Sequence, residues 1–210
     1  MKPILIGIAG PKRAGKDTTA KILRLCLAEF DQDILIGHAS FADPMYDMLS
    51  AFVGWDTVER LRNSDDKDTE IIEPFDCTLR HMAQTLGTEW GRNLIHPNAW
   101  VMALYRRVTH GATAYTDPVV VFVPDVRFPN EAQLIRDNGF LLHIQRNTGH
   151  QDSHASEAPL EIEDTDTVFQ NNGTLEDFEQ RIYAYGRGAF QDDLTATIQA
   201  STGVGRLLSE

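Results

Sequence analysis

Cysteine is scarce in this chain: Cys26 and Cys77 are the only two, and they show no Cys-x-x-Cys spacing. Two such residues cannot build a disulfide framework, so the sequence predicts a reducing, cytoplasmic compartment and treats both as packing residues. Long apolar runs are also missing. The longest early one, Ile4 to Ala9, is cut by Gly10 and Pro11 and falls far short of the ~20 residues a bilayer helix needs. No membrane or secretion segment is expected. Bases are outnumbered, with 19 Lys and Arg against 31 Asp and Glu and a formal net charge of −12. A body-wide attraction to DNA, RNA or an anionic membrane would oppose that field, which excludes a polymeric nucleic-acid partner. Repeats and low-complexity tracts are absent. With 42% hydrophobic residues in 210, disorder, collagen and coiled coil are excluded, leaving one globular domain or at most two small ones.

The charge that is present is unevenly placed. Residues 1–30 carry Lys2, Lys12, Arg13, Lys16, Lys21 and Arg24 against only Asp17 and Glu29, whereas twelve acids and three bases lie from Asp152 onward. The acidic C-terminal half reads as a solvated surface. The basic start requires another explanation: any polyanionic ligand must be captured locally.

Ile4 to Ala9 has the length and composition of a strand buried on both faces. After the glycines at 10 and 15, Ile22, Leu23, Cys26, Leu27 and Phe30 recur at helical spacing. The opening is therefore strand, glycine-bounded loop, helix. Further strands are predicted at 34–39, 119–123, 140–145 and 167–170, and helices at 44–52, 79–90, 98–108, 129–138 and from Thr174 onward. The charged stretch 56–76 shows little periodicity and reads as a mobile excursion. Alternating strands and helices predict an α/β domain with a parallel sheet.

Gly10-Pro11-Lys12-Arg13-Ala14-Gly15-Lys16-Asp17-Thr18 matches the phosphate-binding loop pattern of Gly, four residues and Gly-Lys, with Asp17 where Ser or Thr is usual. Strand before and helix after would aim backbone N–H groups and a helix N-terminus at one anion. Lys16 would reach the β- and γ-phosphates. Asp17, a hard oxygen ligand, would hold Mg²⁺, and Thr18 would contact the α-phosphate. Asp125 and Arg127 follow the 119–123 strand, and ligands of open α/β sheets sit beyond the carboxyl ends of strands. Both should therefore face the same crevice as the loop. On the 79–90 helix, Arg80, Gln84, Gly87, Thr88 and Gly91 make a small, polar face; the two glycines imply a helix break, close approach of a ligand, or tight packing. Trp100 is either a core residue or an aromatic face for a base.

Residues 10–18, the run Gln84 to Arg92, Asp125-Val126-Arg127-Phe128-Pro129-Asn130-Glu131, and His154-x-Ser156-Glu157 together resemble the bacteriophage deoxynucleoside monophosphate kinases. The resemblance extends from residue 1 to about 183. It implies a P-loop NTPase-type parallel sheet flanked by helices, with residues 1–185 as one kinase domain. Within it, about 43–110 would be a mostly helical acceptor-binding insertion, about 146–158 a lid, and 186–210 a C-terminal tail. ATP is the implied donor, a deoxynucleoside monophosphate (dNMP) the acceptor and Mg²⁺ the cofactor, in a host's cytoplasm if the chain is phage-encoded. Such enzymes are commonly homodimers. By motif, Gly10, Arg13, Ala14, Gly15, Lys16, Asp17, Thr18 and Thr19 fall on the ATP side. Lys12, Arg80, Gly87, Thr88, Trp100 and Arg127 fall on the acceptor side. Tyr46 departs from the family pattern, where a lysine is expected after Ala42-Asp43-Pro44.

Phosphoryl transfer to an existing phosphate oxygen needs positioning and charge neutralisation and no general base. Lys16 and Mg²⁺, with Asp125 nearby, would neutralise the donor. Lys12, Arg80 and Arg127 would hold the acceptor, and Arg146 or His150 would close over both. Two rivals stand beside this expectation: a kinase of the same fold acting on a modified base in phage DNA or another small acceptor, and a non-catalytic nucleotide-sensing module.

Overall fold

Residues 2–29, 33–147 and 160–206 are described by a computed structural model. In chain order the elements are β1 (Ile4–Ala9), α1 (Lys16–Ala28), β2 (Leu35–His38), α2 (Asp43–Val53) and α3 (Trp55–Arg62). A short 3₁₀ turn (Asp65–Asp68), β3 (Ile71–Ile72), β4 (Cys77–Thr78), α4 (Leu79–Gln84) and a π-helical segment (Thr85–Ile95) come next. The chain finishes with α5 (Ala99–Ala112), β5 (Val119–Val126), α6 (Pro129–Asn138), β6 (Gly139–Gln145), β7 (Thr167–Gln170), α7 (Leu175–Gly186) and α8 (Ala189–Arg206). No helix among the described residues is long and apolar enough to cross a membrane.

The chain divides into two units, one of Met1–Ala39 with Val108–Glu210 and one of Ser40–Arg107. The first is built on a five-stranded parallel sheet in the order β2-β5-β1-β6-β7. β1 is central and buried at all six positions, as an uninterrupted apolar strand must be when both sheet faces are covered. One face carries α1, α7 and α8 through Leu23, Leu27, Phe178, Ile182, Phe190, Leu194 and Ile198, packed on Ile4, Ile6, Ile8, Val120, Phe122, Leu142 and Ile144. Cys26 is buried on α1, and burial together with Glu29 pushes its thiol pKa up, so it packs as a protonated side chain. Thr174 caps α7, its side chain accepting from the amide of Asp177.

Two expectations from sequence are corrected here. Within the stretch 186–210, read as a tail, Ala189–Arg206 form α8, whose Phe190, Leu194 and Ile198 complete the sheet's core. Their spacing of four is a helical stripe hidden among polar residues. The stretch 56–76, read as a mobile excursion, forms α3, the 3₁₀ turn and the β3-β4 hairpin. Few apolar residues there sufficed: Val58, Leu61 and Ile72 are buried with Met45, Leu49, Leu79, Met82, Ala83 and Trp100 as the core of the second unit. The 79–90 helix also changes character, since α-helix ends at Gln84 and π-helical backbone continues to Ile95.

A buried polar cluster ties α6, β6 and the start of β7 together. Asp166 accepts from Arg136 Nε (2.9 Å) and Nη2 (2.6 Å), from the amide of Glu163 (2.9 Å), and bonds His143 Nε2 at 3.0 Å. Burial lowers the His143 pKa more than Asp166 raises it. A histidine whose folded pKa lies below its unfolded value leaves the unfolded chain binding more protons, so stability is full above about pH 6.5 and falls as pH drops through that value. Urea unfolding between pH 5 and 8 should therefore show a loss of stability towards acid that His143→Gln flattens. Equal slopes in both proteins would remove His143 as the cause.

Candidate active site

The turn from β1 into α1 has the backbone of an anion cradle. Gly10 (φ +146°), Arg13 (φ +63°) and Gly15 (φ +108°) all adopt positive φ, which bends the chain so that successive amides face inward. At Gly10 a Cβ would lie 2.4 Å from the Ile144 carbonyl oxygen, and at Gly15 2.8 Å from Asn171 Nδ2. Lys16 spans the loop, its Nζ donating to the carbonyls of Gly10 (2.7 Å) and Pro11 (2.8 Å). Asp17 is exposed and Thr18 half-buried at the first turn of α1, and Lys12 is half-buried on the loop.

Two ATP-side expectations read differently in three dimensions. Thr19 is fully buried and its hydroxyl donates to the Gly15 carbonyl at 3.0 Å, so it secures the start of α1. The Ala14 side chain is in the core, its amide donates to Pro11 O at 3.2 Å, and its carbonyl accepts from Asn171 Nδ2 at 2.7 Å. Asn171 is a supporting residue the sequence did not single out. It lies just past β7, is 4% exposed, and its own amide donates to Gln145 O at 2.7 Å. Its only signal was an Asn-Asn-Gly run that also spells an ordinary turn.

Strand register brings Asp125 and Arg127 beside the turn from β1 into α1. Gly7 pairs with Val123, but Ala9 pairs with Val126, so β5 holds one residue more than β1 across Pro124–Asp125. Proline lacks the ladder N–H, and such a bulge re-aims the side chain next to it. Asp125 thus lies within β5, not beyond it, half-buried at the bulge. Because Ala9 and Val126 are partners, Gly10 and Arg127 leave the same edge of adjacent strands. Glu131, 1% exposed on α6, accepts from the amides of Arg127 (2.8 Å) and Phe128 (3.0 Å) and fixes where the chain turns. Arg146, at the end of β6, donates to Arg13 O at 3.4 Å. His150 and most of the expected lid lie outside the described residues.

In the second unit the π-helical segment meets Trp100 at Gly87 and Gly91, with Thr88 half-buried next to Gly87. Trp100 is 5% exposed, its Nε1 donates to Gly87 O at 2.7 Å, and a Cβ on Gly91 would sit 2.6 Å from its ring. The glycines therefore serve tight packing, and the indole is a core residue that holds Gly87 in place. Arg80 is half-buried on α4. Tyr46 has the Arg62 guanidinium 4.7 Å above its ring, and Arg62 also pairs with Asp43 at 2.8 Å. A cation thus stands over Tyr46 although the side chain there is not itself basic.

Among the described residues no cluster of three or more His, Cys, Asp or Glu side chains could hold a metal alone. A magnesium ion carried in on triphosphate oxygens keeps several waters and needs only one or two protein carboxylates. Exposed Asp17 at the loop, with Asp125 on the neighbouring strand, fits that demand.

A parallel sheet in this order, with a glycine loop carrying Lys16 between its central strand and α1, defines a P-loop NTPase-type protein. A family model described as deoxynucleotide monophosphate kinase matches residues 52–182. The chain belongs to that family. It is 30% identical over 196 residues to a putative deoxynucleotide monophosphate kinase of Acanthamoeba polyphaga mimivirus, covering 85% of this chain and 94% of the relative. To the deoxynucleoside-5'-monophosphate kinase of Escherichia phage T5 it is 27% identical over 190 residues, covering 66% and 74%. Among solved structures, TT1252 of Thermus thermophilus aligns at TM-score 0.44 and 19% identity over 88% of this chain and 96% of that one. A mutant of the Mycobacterium tuberculosis APS kinase CysC aligns at TM-score 0.38 and 14% identity, over 87% and 96%.

Proposed function

We propose that this protein transfers the γ-phosphoryl group of ATP to a deoxynucleoside monophosphate, giving ADP and the deoxynucleoside diphosphate. The observation that carries the reading is the Ala9–Val126 pairing, which sets a phosphate loop and an arginine at neighbouring strand ends in a chain of this family. An acceptor phosphate oxygen forms the new bond to the γ-phosphorus. The bond from that phosphorus to the β–γ bridging oxygen breaks, and its electron pair leaves with ADP.

Loop amides and Lys16 hold the donor phosphates, and the lysine exchanges its two carbonyl partners for phosphate oxygens. Arg127, fixed by Glu131, grips the acceptor phosphate in line, and Lys12 of the loop adds a second cation for it. Arg146 stands next to Arg13 as the lid residue. Asp17, together with Asp125, would hold Mg²⁺, which supplies charge neutralisation on the donor phosphates when bound.

A coupled ADP-release assay with each deoxynucleoside monophosphate offered separately tests this. ADP release should require ATP, Mg²⁺ and at least one of the monophosphates. Release that ignores all of them would favour a nucleotide-hydrolysing or sensing module, and release only with another acceptor would favour the same fold at a different task.

A further inference from the structure

Lys21 and Arg24 belong to the basic N-terminal surplus, and the phosphate loop does not use them. Both lie on the face of α1 that the core leaves open. Leu23, Cys26 and Leu27 point into the core, whereas Asp17, Lys21 and Leu25 form one row at spacing four, and Arg24 and Ala28 continue a second that begins at the buried Ala20. Opposite stand Ile36 and His38, two residues apart on β2 and so on one side of that strand, with Pro124 of β5 between. These nine residues line a groove of about 430 Å³.

Its lining is unlike a solvated helix face. Leu25 is 54% exposed, and with Ala20, Ala28, Ile36 and Pro124 it makes an apolar floor and wall. Among the described residues, the charged and titratable groups of the lining are Lys21, Arg24 and His38, with one acid, Asp17, at the end next to the phosphate loop. In a chain of net charge −12, a concave surface with cations above an apolar floor selects a ligand with the inverse pattern. Loop residues 10–16 are not in its lining, so it is separate from the phosphate cradle and meets it only at Asp17. Its volume falls in the range of about 300–1,000 Å³ usual for small-molecule sites.

We propose that the groove between α1 and β2 binds a small organic anion with a flat apolar ring, the ring lying on Leu25, Ile36 and Pro124 and the charge meeting Lys21 and Arg24. A nucleoside phosphate and a simple aromatic anion share that chemistry. The site does not depend on phosphoryl transfer. Its test therefore reads binding alone.

The full chain, labelled at alanine and isoleucine methyl groups, is titrated by NMR with thymidine 5'-triphosphate and, separately, with 8-anilinonaphthalene-1-sulfonate. Saturable shifts of the Ala20, Ala28 and Ile36 methyls are expected. Lys21→Ser with Arg24→Ser should raise the Kd read at those methyls by about tenfold, equivalent to ~1.4 kcal/mol, with Ile182 and Ile198, in the core on α7 and α8, unshifted by the substitutions as a control for the fold. Ala28→Trp, which fills the far end of the groove, should abolish the shifts. A response to the nucleotide supports a nucleoside phosphate as the occupant, and a response to the sulfonate alone supports an aromatic anion of another kind. No saturable shift with either probe, or a Kd unchanged in the double variant, overturns the proposal.

Discussion

Replacing Arg127 with alanine is expected to lower kcat/KM for the acceptor by about 10²–10³-fold, the loss typical of removing one preorganised donor to a charged transition state. The Kd for ATP should stay within about twofold, because the loop that holds the donor phosphates closes on its own residues. Arg127→Lys should lie between, since an ammonium keeps the charge but loses the planar fork that grips two oxygens. Glu131 extends the argument. Its carboxylate accepts from the amides of Arg127 and Phe128, and so it sets the arginine's backbone without reaching substrate. Glu131→Ala should reduce acceptor kcat/KM while sparing ATP binding, and Glu131→Gln, which keeps an acceptor oxygen, should restore part of it. Steady-state kinetics at saturating ATP and calorimetric titration with a non-hydrolysable ATP analogue separate the two effects. Equal losses at the donor and acceptor sites would count against the clamp.

The Arg127 clamp depends on both a motif and a register, and only the motif was legible in the sequence. Central β1 was readable because six apolar residues in succession fit nothing but a strand covered twice, and α1 because its stripe is uninterrupted by charge. Gly10, Gly15 and Lys16 were readable because few backbones other than a phosphate loop want that spacing ahead of a helix. The bulge at Pro124–Asp125 was not, since it is a relation between two strands 115 or more positions apart in the sequence, Gly7 with Val123 and Ala9 with Val126. Asn171 was hidden for the same reason: its partner, the Ala14 carbonyl, is 157 residues away. α8 escaped because a helix that buries one residue per turn, Phe190, Leu194 and Ile198, leaves a composition hardly different from a tail. Trp100 shows a further limit. Its indole could equally have faced a base or a backbone, and only the contact with Gly87 and Gly91 decides that it packs.

Gly10 should tolerate a methyl group poorly. Its φ of +146° lies where side chains are strained, and the added Cβ would stand 2.4 Å from the Ile144 carbonyl oxygen, a backbone atom of β6, an interior strand paired on both sides. Strain and collision together should cost Gly10→Ala at least about 3 kcal/mol. For a chain of this length that is a Tm lower by roughly 6–12 °C. Gly173 provides the contrast, since a Cβ there would meet nothing nearer than Asp177 Oδ2 at 3.5 Å, and Gly173→Ala should stay within about 0.5 kcal/mol of the parent. The loss at Gly10 should also reach the ligand. Lys16 rests on the Gly10 carbonyl, so a backbone pushed away from Ile144 shifts the lysine's anchor and weakens ATP binding beyond what lowered stability accounts for. Thermal unfolding with and without ATP measures both parts: the Gly10→Ala protein should melt lower and gain less from the nucleotide. If it melted with Gly173→Ala and gained as much from ATP as the parent, the close approach of β6 to the loop would not be what holds the cradle open.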